Sequence, residues 1–209
     1  VEILSSSAQP LLDFGPVFRN RTAMGYILGY GAHCFELAGF RIWIVAFWAY
    51  VAARHGGDAI LDPIALSVVV TVLAMPASMA GNEVAIRIGR HRAIASIMIA
   101  AGAIGAAIGL AAGSPPALLL LLVVAYSLAI PADSGALTSG MSAAAEPGRR
   151  GATMALHSTI GFGLSAAGGW AVGLALDDGG GIDSPGGWSA GFILMEAGGL
   201  AGPLVPQLP

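Results

Sequence analysis

Residues 24–53 read MGYILGYGAHCFELAGFRIWIVAFWAYVAA, an apolar run whose only charge-bearing side chains are His33, Glu36 and Arg41. A strand of an outer-membrane barrel spends about 10 residues in the bilayer and alternates polar with apolar positions. This run is far longer and does not alternate. It is therefore predicted to be a helix, in which every backbone N–H and C=O is bonded within the segment. At ~1.5 Å per residue it outruns a ~30 Å hydrocarbon core, so it must tilt or project.

Working outward, five further apolar runs bounded by charges, Pro or Gly occupy residues 63–81, 93–113, 115–140, 151–176 and 188–208. Six crossings of ~20 residues would use about 120 residues, leaving the rest for short loops and a tail. The composition agrees: 56% of the 209 residues are hydrophobic, 31 are Gly, and 10% are charged, against ~25% charged in a soluble domain. A disordered chain, a nucleic-acid binder and a water-soluble enzyme are excluded on this ground. The expected fold is all-α, a polytopic membrane bundle of six transmembrane helices over residues 23–209. Residues 1–22 lack the charged start, apolar middle and small-residue cleavage site of a signal peptide and read as a cytoplasmic linker. Cys34, the lone cysteine, has no partner for a disulfide within the chain.

All nine basic residues are Arg. Arg19 and Arg21 precede the first run, Arg87, Arg90 and Arg92 lie between the second and third, and Arg149 and Arg150 lie between the fourth and fifth. With six crossings all of these fall on one side. The other side holds Arg54 with Asp58, Asp62, Asp177, Asp178 and Asp183. The positive-inside bias then places the Arg-rich loops and both termini in the cytoplasm, with the spans in the cell's inner (plasma) membrane.

Two further patterns concern packing. Gly161, Ser165, Gly169 and Gly173 recur every fourth residue and make a smooth face that lets helix backbones approach closely in lipid. Pro76 and Pro131 each lack an amide donor and clash with the preceding turn, so both helices are expected to kink.

An ionisable group near the bilayer centre costs at least ~2.5–3.5 kcal/mol, so the charges inside these runs carry the functional reading. On a 100° helical wheel His33, Glu36 and Arg41 share one sector with Tyr26 and Tyr30, opposite Leu28, Phe35 and Ile42. That sector is either a buried Glu/Arg network that locks helices together or one wall of a wet cavity for substrate or protons. In the fourth run Asp133 lies seven residues before Gly140, and His157 lies six residues after Gly151 in the next. On antiparallel helices both are ~10 Å in from the same end, and a His/Asp pair can take up and release a proton near neutral pH. Glu196 sits near the middle of the sixth run.

Three stretches carry a family resemblance. PVFRNRTAMGYILGYGAHCFELAGFRIWIVAF (residues 16–47) resembles the end of a central cytoplasmic loop and the seventh helix of a major facilitator superfamily transporter. GNEVAIRIGRHR (81–92) resembles that superfamily's loop motif, and AEPGRRGATMALHSTIGFGLSAAGGWAVGLALD (145–177) resembles a later helix entered from its Arg-Gly turn. Arg87, Gly89 and Arg90 keep the Arg-x-Gly-Arg spacing, with Ile86 where the family has Asp. The resemblance implies the carboxy-terminal six-helix half, built as two inverted three-helix repeats, with substrate near the midplane between halves. It also implies that the first helix of each triplet lines the cavity. His33, Glu36, Arg41 and Asp133 would then face substrate, with His157 beside Asp133. Arg87, Gly89 and Arg90 would form a gating loop, and Glu196 would lie on a peripheral helix. The missing amino-terminal half would supply the opposite wall.

The expected function is alternating-access transport of a small solute, with proton coupling through the same groups. No phosphate-cradling GxxxxGK[ST] is present, and neither a cofactor nor a metal is expected. A non-transporting membrane scaffold or partner subunit is the alternative. An intramembrane serine hydrolase using Ser134 and His157 fits poorly, because such enzymes need a Gly-x-Ser-Gly turn and this chain has ADSG.

Overall fold

The computed structural model describes residues 14–199. In chain order the elements are α1 (Gly15–Arg19), α2 (Arg21–Arg54), α3 (Pro63–Ile88), α4 (Arg90–Leu110), α5 (Pro116–Ala129), a 3₁₀ turn (Ile130–Asp133), α6 (Ser134–Ala144), α7 (Arg150–Asp178) and α8 (Pro185–Gly199). No strand occurs among the described residues. Five segments are long and apolar enough to cross a bilayer: α2, α3, α4, the broken segment Pro116–Ala144, and α7. The chain is thus a multi-pass helical membrane protein. Helix α8 is the described part of the sixth apolar run; residues 200–208 of that run, and residues 1–13 of the expected linker, lie outside the described residues. Helix α1 and the first turn of α2 fall within the stretch 14–24, so helix begins before the expected linker ends.

Local chemistry sets the helix ends. The Asn20 side chain accepts from the Ala23 amide at 3.0 Å, capping α2, while its Nδ2 donates to the Ala144 carbonyl at 2.8 Å. Asp62 caps α3, its Oδ1 accepting from the Ile64 and Ala65 amides, with Pro63 at the first helical position, where a missing N–H costs nothing. Gly89 alone separates α3 from α4, at φ +93°. An L side chain rarely adopts that φ, which explains a glycine between Arg87 and Arg90. Arg87 itself is turned back onto Glu83 at 2.9 Å, an exposed pair one turn apart. The fourth span breaks into a 3₁₀ turn at Pro131, and α3 carries Pro76 inside a continuous run of helix.

The helix ends sort by charge. At one end the His91 ring stacks on Tyr26 at 5.8 Å and Asn20 reaches Ala144, gathering the segments that carry Arg19, Arg21, Arg87, Arg90, Arg92, Arg149 and Arg150. At the other, Tyr50 donates to the Ala112 carbonyl at 3.2 Å, Arg54 lies beside Gly113, and the Tyr50 and Trp188 rings are 6.0 Å apart. That end carries the loops with Asp58, Asp62, Asp177, Asp178 and Asp183.

Helix α2 is the hub. The small-residue face of α7 packs on it: the Tyr30 ring fills the space beside Gly161, Ser165 donates to the Cys34 carbonyl at 3.4 Å, and Trp43 Nε1 donates to the Gly169 carbonyl at 2.8 Å. The fourth span packs on another side of α2, and α7 and α6 touch only slightly. The apolar core falls into two clusters. One, at the Arg-rich end, contains Tyr26, Ile27, Ile94, Met98, Leu137 and Met141. The other, toward the acidic end, contains Phe47, Trp48, Trp188 and Phe192.

Candidate functional site

Between these apolar clusters lies a layer of buried ionisable side chains: His33, Glu36, Asp133, His157 and Glu196. Position along each helix explains the layer. On α2, His33 and Glu36 stand between Ile27 of one cluster and Phe40 of the other. On the fourth span, Tyr126 and Asp133 are seven residues apart, two helical turns, and so share a face. Helix α2 and the fourth span run in opposite directions, so His33 meets Asp133 and Glu36 meets Tyr126.

The contacts divide into two groups. His33 Nδ1 pairs with Asp133 Oδ1 at 2.7 Å. Deeper in the bundle, the Tyr126 hydroxyl lies 3.0 Å from Glu36 Oε1 and 2.5 Å from Glu196 Oε1, forming a carboxyl–phenol–carboxyl trio drawn from α2, α5 and α8. Helix α4 makes room for it with Gly105: a β-carbon there would coincide with Glu196 Oε1 and sit 3.0 Å from the Tyr126 ring. The edge of the Phe40 ring meets Tyr126 at 5.0 Å and closes the trio on the apolar side. Glu196 Oε2 and His157 Nδ1 have no hydrogen-bond partner among the described residues, and Asp133 Oδ1 has only its ion-pair contact with His33.

The 3₁₀ turn positions Asp133. Gly81 of α3 lies against it so closely that a β-carbon would overlap the Ala132 carbonyl. Ser134, just beyond the turn, donates to the Pro131 carbonyl at 2.7 Å and lies 2.8 Å from the Ser78 hydroxyl of α3. These contacts hold the break in the fourth span against α3.

An open groove of about 720 Å³ runs along the outside of this layer. Tyr30, His33 and Arg41 of α2 face it on one side, and Thr71, Met75 and Ser78 of α3 on the other, with Pro131 and Ser134 at its floor. His33 thus joins the groove to the buried Asp133. Arg41 is exposed, and no carboxylate lies within ion-pair distance of it among the described residues.

The arrangement corrects two expected pairings. Glu36 does not face Arg41: five residues of helix turn them about 140° apart, and Glu36 points into the trio while Arg41 points into the groove. Asp133 and His157 do not meet either, although they lie at similar depth. Helix α2 stands between α7 and the fourth span, so Tyr30 and His33 intervene. The His157 ring stacks on Tyr30 at 3.9 Å, and Tyr30 stacks on His33 at 5.7 Å. The readings of the sequence passed over Tyr126 as a site residue and set Glu196 aside. The signal for Tyr126 was its seven-residue spacing from Asp133. Nothing local in the sequence marks Glu196 as its partner, since the contact spans 70 positions. No group of three or more His, Cys, Asp and Glu side chains is placed to share a metal ion among the described residues.

No protein-family model matches the chain, and no curated protein or solved structure was found to match it. Fold and site therefore define the class by themselves: a multi-pass helical membrane protein with a paired ionisable layer at mid-height, opening on a lateral groove.

Proposed function

We propose that the chain is one half of a secondary transporter of the major facilitator type, moving a small solute by alternating access. In this reading α2–α3–α4 and the fourth span, α7 and α8 are two inverted repeats of six transmembrane helices in total. A separate amino-terminal half covers the groove. The Arg-rich end is cytoplasmic by the positive-inside bias.

The observation that carries the proposal is the placing of costly charge. His33, Arg41 and Asp133 belong to the first and fourth spans, which in this reading open the two repeats, and His33 and Arg41 line an open groove along the middle of α2. Intramembrane ionisable groups that face a cavity mark substrate or ion paths, and a scaffold has no use for them at a groove.

Met75 lies midway along α3 and lines the groove. In the full-length protein in sealed vesicles, Met75→Cys should react with a membrane-impermeant thiol reagent applied from either side, because alternating access opens the groove to each side in turn. Cys34 is buried and should stay silent. Reaction from one side alone, or from neither, would favour a static scaffold.

A further inference from the structure

A Glu36/Arg41 network, one of the two readings of the polar sector of the first span, would neutralise Arg41 and leave a cavity beside it with no preference for charge. The structure removes that neutralisation. Glu36 is committed to Tyr126 on the far side of α2, and Asp133 is committed to His33. Arg41 is left exposed to the groove without a carboxylate among the described residues. Its guanidinium is a planar fork of donors whose geometry matches a carboxylate in a bidentate pair.

The rest of the groove wall says what the anion is attached to. Val72 and Met75 line it and are 65% and 71% exposed, and Leu37 adds a third apolar side chain. The hydroxyls have little to donate: Ser134 gives its hydrogen to the Pro131 carbonyl, Ser78 is engaged with Ser134, and Thr71 donates to the Ser67 carbonyl. One positive charge, apolar walls and few free donors suit a single anionic group on an apolar body. A heavily hydroxylated acid would find few free donors for its oxygens on this wall of the groove.

We propose that the groove binds a small hydrophobic monocarboxylate, its carboxylate held by Arg41 and its apolar body lying against Val72, Met75 and Leu37. The proposal rests on the transport reading for its biological sense, since it names the class of solute carried. A lipid phosphate is not the occupant. Arg41 is thirteen residues from the Arg54 end of α2, about 20 Å of helix; centred on a ~30 Å core the helix overshoots by about 10 Å at each end, which leaves Arg41 about 10 Å inside the hydrocarbon.

The test uses benzoate as probe and the full-length protein in nanodiscs. Phenylglyoxal modifies accessible guanidinium groups, and peptide mass spectrometry reads each Arg separately. Benzoate at about ten times its half-protecting concentration leaves about one site in ten open, so modification of Arg41 should slow ~tenfold. Arg54 and Arg90 should be unaffected. Benzyl alcohol, which lacks the charge, and gluconate, which lacks the apolar body, should protect far less. Benzoate should also raise the melting temperature of the parent and leave that of Arg41→Gln unchanged. The proposal is overturned if Arg41 does not react at all. It is equally overturned if ~10 mM benzoate, weaker than a millimolar site, gives no protection, or if benzyl alcohol protects as well as benzoate. Protection of Arg41 together with one-sided reaction of Met75→Cys would keep the anion site and reject transport. Two-sided reaction without protection would do the reverse.

Discussion

Replacing Tyr126 with Phe removes one oxygen from a site that water does not reach. That oxygen is within hydrogen-bond distance of two carboxyl oxygens, on Glu36 and Glu196. A phenol has one hydrogen to donate, so one contact uses it and the other needs a hydrogen from a carboxyl. Without the phenol both carboxyls lose a partner. A buried bond to a charged group is worth ~1.5–3 kcal/mol. Both carboxyl oxygens touch one atom, so they are no more than ~5.5 Å apart; two negative charges at that distance would repel by ~3 kcal/mol at an effective dielectric of ~20, and the hydrogen that one carboxyl supplies removes that repulsion with or without the phenol. Tyr126→Phe should therefore destabilise the protein by ~1.5–3 kcal/mol, the value of the lost buried bond. Glu196→Gln keeps the shape and brings its own hydrogens. It should cost less than ~1 kcal/mol, and it should soften the effect of Tyr126→Phe in the double variant by ~1–3 kcal/mol. The assay is denaturant or thermal unfolding of the purified full-length protein in one detergent, read as a double-mutant cycle. If Tyr126→Phe unfolds with the parent, or Glu196→Gln is as damaging as Tyr126→Phe, the shared-hydrogen account of the trio is wrong.

Asp133→Asn and His33→Ala should each destabilise by ~3–5 kcal/mol, because removing one partner strands the other in the interior. The double variant should lose less than the two single losses combined, and a fully additive result in the same unfolding assay would refute the pairing. Reporters inserted within residues 177–186 and within 142–149 should be accessible from opposite sides of the membrane, the second from the cytoplasm; equal accessibility would reject both the crossing number and the orientation.

Much of the architecture follows from the sequence alone, because a bilayer leaves few options. A chain crossing hydrocarbon must bond its own backbone, so each long apolar run can only be a helix, and the Arg residues between runs sort the loops. Five of the six expected crossing helices, the segregation of Arg from Asp at the two ends, the close-packing face of α7 at Gly161, Ser165 and Gly169, and the break at Pro131 all belong to this local chemistry.

Pairing inside the bundle lay beyond the sequence. Helical periodicity gives depth and facing angle, and it put Asp133 level with His157 and Glu36 in the same sector as Arg41. It does not say which helix is the lateral neighbour. Successive helices need not touch, and in this protein α2 separates α7 from the fourth span, giving Asp133 to His33 and His157 to Tyr30. The same packing turned Glu36 toward Tyr126 and Glu196 and left Arg41 open to the groove. Those assignments depend on which surfaces bury most efficiently against α2, a property of all the helices together and of no single stretch.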